Sequence, residues 1–483
     1  MNILNRWLYA FLFAGLVFTG CQKDDPKPEP EPEPEPEQAP KLTQKVNTFV
    51  KDAMDEVYLW YKQMPSIDIR YEFDTKEYFD KLLYKEDKWS FITDKAAELR
   101  SSYEGTEKTF GYSLAWGSFW DAQGPTGEYF AIIEYVYPDS PAAKAGIQRG
   151  DIFISVNGQK IKETNYMNLI SGETITLTKG ILTEQGIAPG SDLSLTSVVM
   201  NLDPVLIKKI INYEGHKIGY LFYAHYIPNF NSSLDAAFQY FKSNQITDLV
   251  LDLRYNPGGE ISAAQYLCSS IAPVSVVNNQ STLITKQWND KYQAYFVSTN
   301  ATSQLKTTFD PNALVKLGLN KLYVLTTRST ASASELSITG LEPYMNVVQI
   351  GDTTSGKYTG AWFLQPEDLY KNASDYASFK NWGIQPIVFR YANSLGVTDF
   401  KNGLAPDFYV KDQLLPALPL GDLSEPLLRK AVEHISGVPV LALKRARLPY
   451  DFKVLKRASS RFEPMKEVLL DNTLSKAELP DRK

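Results

Sequence analysis

Leu249-Val250-Leu251-Asp252-Leu253-Arg254-Tyr255-Asn256-Pro257-Gly258-Gly259-Glu260 begins as an apolar run and ends in a Pro-Gly-Gly turn. The run has the character of a buried strand. Glycines after such a strand let backbone N–H groups come close to a ligand or a developing oxyanion, although strand ends often carry turns of this kind. A second stretch, Leu322-Tyr323-Val324-Leu325-Thr326-Thr327-Arg328-Ser329-Thr330-Ala331-Ser332-Ala333-Ser334-Glu335, is again an apolar strand, and it gives way to small residues and hydroxyls before a helix. A hydroxyl at that junction lies near the positively polarised N–H groups of a helix start. A third, Gly351-Asp352-Thr353-Thr354-Ser355-Gly356-Lys357, sets a lysine behind a glycine-containing loop. Its glycine spacing fits a phosphate loop, but Tyr358 stands where a magnesium-binding Ser or Thr belongs, which argues against nucleotide binding.

Residues 203–435 alternate short apolar strands (218–223, 248–253, 322–327) with helical segments, the pattern of an α/β layer fold. Residues 108–202 are β-rich. Within them Ser140-Pro141-Ala142-Ala143-Lys144-Ala145-Gly146-Ile147-Gln148-Arg149-Gly150-Asp151 predicts a one-turn helix capped by Ser140 and ended by Gly146, followed by a strand and an Asn157-Gly158 turn. This run resembles the centre of a PDZ domain. The resemblance implies capture of extended peptides by strand addition, with a C-terminal carboxylate held by backbone N–H groups. The matching loop is Gly111, Tyr112, Ser113 and Leu114; it departs from the commonest Gly-Leu-Gly-Phe form, and a PDZ-like spacer without ligand is the alternative. Residues 42–107 read as a helical N-terminal domain, opening on an amphipathic helix (Val46, Phe49, Val50, Met54, Val57, Trp60) with Thr43 as candidate N-cap and a second helix near residues 76–84.

The chain of 483 residues carries 50 Lys+Arg against 56 Asp+Glu, and residues 22–41 hold seven of the acids and three of the bases. The body is therefore nearly neutral, without the basic excess of a nucleic-acid binder. Three histidines and two cysteines argue against a multi-ligand metal site and leave few candidates for a Ser-His-Asp triad, so a hydrolase here is expected to work without histidine.

Residues 1–20 read as a signal peptide: Arg6 precedes an apolar run from Leu8 to Phe18 that is shorter than the ~20 residues of a membrane-spanning helix. Phe18-Thr19-Gly20-Cys21 resembles a bacterial lipobox, implying that Cys21 is lipidated and becomes the N-terminus; an ordinary cleaved signal with a chance cysteine is the alternative. Residues 21–41 form a Pro/Glu-rich linker, stiff and solvated. Its Gln22-Lys23-Asp24-Asp25 start resembles the export signal of surface-exposed outer-membrane lipoproteins of the Bacteroides group, against the plainer reading of a polar tether or a periplasmic-face anchor. Cys268 is expected to be a buried, inert thiol.

Taken together, LVLDLRYNPGG, TASASE and SGK resemble the C-terminal processing peptidases, or tail-specific proteases, which are serine endopeptidases with a PDZ domain and a Ser/Lys dyad. The resemblance implies Ser332 as nucleophile and Lys357 as base, twenty-five positions later, with Gly259 and Ala333 N–H groups as oxyanion hole. Asn402-Gly403-Leu404-Ala405-Pro406-Asp407 resembles the family's closing strand. Ser329 and Ser334 are the competing nucleophiles, and His225 is expected to be structural. Glu335 matches a family acid, though a first-turn carboxylate favouring the helix dipole explains it equally well. Where family members often carry a Gln that orients the lysine, this chain has Ala361.

The expected architecture is multidomain α+β: a helical N-terminal domain, a PDZ-like β domain at 108–202, an α/β peptidase domain at 203–435 ending on one last amphipathic helix (Leu427, Leu428, Ala431, Ile435), and an irregular tail at 436–483. The expected partners are polypeptide substrates, and the membrane through the lipid anchor. A catalytically weak peptide-binding lipoprotein of the same fold is the main alternative, and a surface scaffold the remoter one. Because no other segment reaches ~18 consecutive apolar residues, Cys21→Ala should move the protein from the membrane to the soluble fraction. A membrane-bound Cys21→Ala protein on fractionation would contradict the anchor.

Overall fold

The computed structural model describes residues 36–121, 124–183, 186–441, 451–458 and 468–471. Residues 1–35, which include the expected signal segment, Cys21 and most of the Pro/Glu tract, lie outside the described residues. From Ala39 onward the chain belongs to one compact unit. No described helix is long and apolar enough to cross a membrane.

The first helix, Lys41–Val57, buries Val46, Phe49, Val50, Ala53, Met54 and Val57 along one face. It starts before Thr43: Pro40 is the N-cap, because Ala39 is buried and its N–H donates to Arg70 O at 2.7 Å, fixing the entry of the chain. The second helix, Thr75–Leu82, is capped by Asp74. The helical region is not a separate core. Its apolar face joins one cluster with Leu249, Leu336, Ile387 and Phe389, and Leu59 N–H donates to Ile387 O at 2.8 Å.

The PDZ-like region forms an antiparallel sheet in which Tyr112–Asp121, Gly124–Val136, Ile152–Val156, Thr174–Thr183 and Gly186–Thr196 are successive neighbours. Ser140 Oγ accepts from Ala143 N–H at 3.0 Å at the start of the Pro141–Lys144 turn of helix. The free edge of Tyr112–Asp121 is covered from far along the chain. Asp451–Ala458 pairs with it antiparallel, from Asp451 opposite Trp120 to Ala458 opposite Leu114. The tail expected to be irregular therefore contributes two strands, this one and Val468–Leu470. The amphipathic helix expected just before the tail is present as Pro426–Ser436, capped by Glu425 and ended by left-handed Gly437.

Two sheets build the rest. One runs in the order Val205–Tyr213, His216–Tyr223, Asp248–Asp252, Lys321–Thr326, Asn346–Gly351, Phe408–Tyr409, parallel except for its first pair. The other runs in the order Gly258–Glu260, Val468–Leu470, Thr359–Ala361, Ile387–Asn393, Thr282–Trp288, Lys306–Thr308. The chain crosses from the first sheet to the second through Arg254. This guanidinium is fully buried, with Nε on both Asp252 oxygens (2.9 and 3.0 Å), a two-pronged contact with Glu425 (2.7 and 2.9 Å) and Nη1 on Asp412 at 3.3 Å. Arg149 of the PDZ-like region meets the same cluster, donating to Tyr255 OH at 2.7 Å and Asp412 at 3.3 Å. Removing Arg254 strands two buried carboxylates, so Arg254→Ala should lose about 3–5 kcal/mol of unfolding free energy, read by chemical denaturation; a loss below 1 kcal/mol would mean that the cluster is solvated.

Candidate active site

The strand-end turn at 249–260 and the hydroxyl-rich segment at 322–335 clamp one another. The loop between Lys321–Thr326 and helix Ala333–Leu341 carries Thr327, whose hydroxyl donates to Arg254 O, and Thr330, whose hydroxyl donates to Leu253 O at 2.8 Å. Ala331 N–H and the Ser334 hydroxyl both reach Asn256 O at 3.1 Å. Asn256 in turn accepts from Gly258 N–H at 2.9 Å and donates to Tyr223 O at 2.9 Å. The run of small hydroxyl residues is thus the fastening between a strand-end turn and a helix start, and Ser334 is committed to it.

Ser332 caps the helix with φ 63° and ψ −112°, a conformation that costs a non-glycine residue about 1–3 kcal/mol and survives only where its surroundings enforce it. The enforcement comes from Glu335. This buried carboxylate accepts from Ser332 N–H at 2.8 Å and Lys357 N–H at 2.9 Å on Oε2, and from Gly356 N–H and the Thr354 hydroxyl, each at 2.6 Å, on Oε1. One oxygen therefore holds the backbone nitrogens of Ser332 and Lys357 together. On the opposite side, the Tyr391 hydroxyl reaches the carbonyls of both residues at 3.4 Å. Burial pushes the Glu335 carboxyl up to about 7, and its four donors pull it back.

Ser332 and Lys357 are both fully buried. Ser332 Oγ has no hydrogen-bond partner among the described residues, the condition of a hydroxyl kept for another molecule. Lys357 Nζ lies 5.9 Å from the centre of the Trp89 ring. Ala361, which stands where the family resemblance implies a glutamine, is buried on Thr359–Ala361 and pairs with Ile387 and Leu470, so it offers Lys357 no polar side chain.

Gly259 lies in the turn beside this cluster at φ +141°, and a Cβ there would come within 2.1 Å of Tyr226 O; only glycine fits. Ala333 is the first residue of its helix, where an N–H has no acceptor within the helix. The segment 402–407 closes the lysine loop: Leu404 N–H donates to the Thr354 hydroxyl at 2.7 Å, and Asp407 accepts from Gln349 N–H at 2.8 Å. His225 sits next to the turn, its imidazole brought down to about 4 by burial against a hydrogen bond to the Gly258 backbone. Cys268 is buried and its thiol pushed up to about 12, as for an inert side chain. A cavity of about 550 Å³ opens beside Tyr358 and Thr359, walled by Trp60, Tyr84, Trp288 and Arg390.

Residues 111–114 are buried, and Gly111 takes φ +80° against Ser140. This places the candidate peptide loop at the start of the strand that Asp451–Ala458 covers. Sequence reasoning missed the bridging role of Glu335 and missed Tyr391 altogether. The first had a signal in its position three residues after Ser332; the second had none.

With this geometry in hand, comparisons with known proteins add the following. Residues 217–410 match the model for peptidase family S41, residues 45–91 the peptidase S41 N-terminal domain, and residues 132–178 a PDZ domain. The chain is 26% identical over 295 residues to the chloroplastic C-terminal processing peptidase of Tetradesmus obliquus, covering 58% of this chain and 56% of that protein. It is 26% identical over 310 residues to a carboxy-terminal processing protease of Bacillus subtilis strain 168, covering 62% and 60%. It thus spans about three fifths of the length of these curated relatives. The crystal structure of a putative S41 protease from Bacteroides fragilis NCTC 9343 superimposes with a TM-score of 0.62 at 27% identity, over 80% of this chain and 97% of that one.

Glu335→Gln keeps the size of the side chain but turns an acceptor into a donor facing N–H groups. It should lower turnover of a peptide substrate roughly tenfold or more, with the circular dichroism spectrum unchanged. Parent-like turnover would mean that the carboxylate only fills space.

Proposed function

The chain belongs to peptidase family S41, and on that premise we propose that it is a serine endopeptidase that hydrolyses peptide bonds in polypeptides, with Ser332 as nucleophile and Lys357 as base. The observation that carries this reading is the single carboxylate, Glu335, that holds the backbones of both residues while Ser332 Oγ is left without a partner among the described residues. A free lysine, with a pKa of ~10.4, is protonated at neutral pH and cannot accept a proton. A site that excludes water favours the neutral amine, and Lys357 is fully buried. Lys357 would take the Ser332 proton as Oγ attacks the scissile carbonyl. The Gly259 and Ala333 N–H groups would receive the oxyanion, and collapse would expel the amine with the proton returned from Lys357. Water, deprotonated by the same lysine, would release the acyl group. The chemistry calls for no metal and no organic cofactor.

We further propose that polypeptides are presented through the PDZ-like region, at residues 111–114, and that Cys21 anchors the protein to the outer membrane through the Pro/Glu spacer. A peptide-binding protein of the same fold with weak catalysis is the second reading, favoured by Ala361 at the position next to the lysine loop.

Ser332→Ala and Lys357→Ala should each abolish cleavage of an unfolded polypeptide without unfolding the protein, and Lys357→Arg should not restore it, since Arg stays protonated at any working pH. With its imidazole brought down to about 4 by burial, His225 is neutral around neutral pH. His225→Ala should therefore leave the pH dependence of cleavage where it is. Turnover in Ser332→Ala would refute the nucleophile, and a pH profile displaced in His225→Ala would reopen a histidine mechanism.

A further inference from the structure

Val468–Leu470 lies between the two short strands that border the proposed chemistry. It runs parallel to Gly258–Glu260, with Leu469 opposite Gly259, and parallel to Thr359–Ala361, with Leu470 opposite Ala361. Those two strands do not pair with each other; among the described residues the tail strand is what joins them. A one-strand gap flanked by the oxyanion turn and the lysine segment is the place an extended polypeptide would take by strand addition. The seat is specific. Leu469 and Leu470 are buried, and Asp471 N–H donates to Ala361 O at 3.1 Å. The Asp471 carboxylate forms a fully buried ion pair with Lys286, whose ammonium also lies 5.7 Å from the centre of the Phe389 ring. A buried ammonium requires a counter-charge, so this position demands an acid.

The first tail strand makes the same kind of contact elsewhere. Asp451–Ala458 adds to the edge of Tyr112–Asp121 with its C-terminal end at Leu114, the direction in which an extended peptide would approach residues 111–114. Phe452 stacks on Phe130 at 5.1 Å, in space kept open by Gly117, where a Cβ would meet the Phe452 ring at 2.2 Å. One tail thus occupies both the edge of Tyr112–Asp121 and the gap between Gly258–Glu260 and Thr359–Ala361.

We propose that residues 468–471 occupy the substrate-strand position of the site, making the C-terminal segment a built-in competitor for polypeptide substrates, and that Lys286 selects an acidic residue at the position Asp471 now fills. This rests on the peptidase reading above. The preferred substrate is accordingly an extended segment with apolar residues followed by an Asp or Glu.

The test uses the full chain carrying Ser332→Ala, so that no turnover alters the tail, and measures amide hydrogen exchange at residues 468–471. These amides should be protected. Adding Asp471→Lys should lower their protection by ~100-fold or more, since it sets two ammonium groups together in a buried site, and adding Lys286→Glu to that variant should restore it. Free exchange in the Ser332→Ala chain, or a charge reversal without effect or without rescue, overturns the seat. With Ser332 present, a fluorophosphonate probe should label Asp471→Lys at least ~10-fold faster than the parent, because the open form is then the populated one. The peptide Val-Leu-Leu-Asp should slow the labelling of a Leu469→Asp chain, and Val-Leu-Leu-Lys should not. Equal labelling of parent and Asp471→Lys overturns the competition. Absence of labelling in every variant, with the exchange pattern as expected, overturns the serine mechanism and leaves the seat standing.

Discussion

A single buried carboxylate organises this molecule. Glu335 accepts four hydrogen bonds from three parts of the chain: the helix start at Ser332, the hydroxyl of Thr354, and the backbone of Gly356 and Lys357. A carboxylate this deeply buried is costly unless its lone pairs are filled, and here two go to each oxygen. The same bonds hold Ser332 in a backbone conformation that a serine would otherwise leave. The elements that bring Glu335 and the lysine loop together are adjacent parallel strands, Lys321–Thr326 and Asn346–Gly351, so sheet register translates directly into side-chain placement.

Around that centre the fold uses polar contacts as rivets. Arg254, buried between Asp252 and Glu425, fixes the strand-end turn that carries Gly258 and Gly259. Thr327 and Thr330 tie the serine loop to the carbonyls of Arg254 and Leu253. Arg149 reaches the same turn through Tyr255 and Asp412. The PDZ-like region, the turn and the serine loop therefore share one continuous hydrogen-bonded network, and a movement of one has a physical route to the others.

Much of this was legible in the sequence. Buried parallel strands declare themselves as short apolar runs, and those at 218–223, 248–253 and 322–327 all lie on observed strands to within a residue or two. Ser140, Pro141 and Gly146 announced their turn of helix by residue type alone. Ser332 and Lys357 were singled out by the family resemblance, and the fold brings their backbone nitrogens to one oxygen of Glu335. What stayed hidden depends on partners far apart in sequence. Glu335 at a helix start is satisfied by the helix dipole in any sequence reading, and only the fold brings Thr354, Gly356 and Lys357 to it. Tyr391 is 59 residues from Ser332 and carries no local mark. The Lys286–Asp471 pair spans 185 residues. The tail strands were missed because Asp451–Ala458 alternates imperfectly around a bulge at Val454 and Lys456, and Val468–Leu470 is three residues long. The Thr43 cap failed because an anchored Ala39 outweighs local capping chemistry.

The central claim is that Glu335 presents Ser332 to Lys357 as one reactive pair. Its most direct measurement is peptide mapping of the adduct left by a fluorophosphonate on the folded protein, followed as a function of pH. The account predicts one adduct, on Ser332, formed at a rate that rises with pH and collapses in Lys357→Ala and Glu335→Gln. An adduct on Ser329 or Ser334, or a Ser332 adduct formed at the parent rate without Lys357, would contradict it.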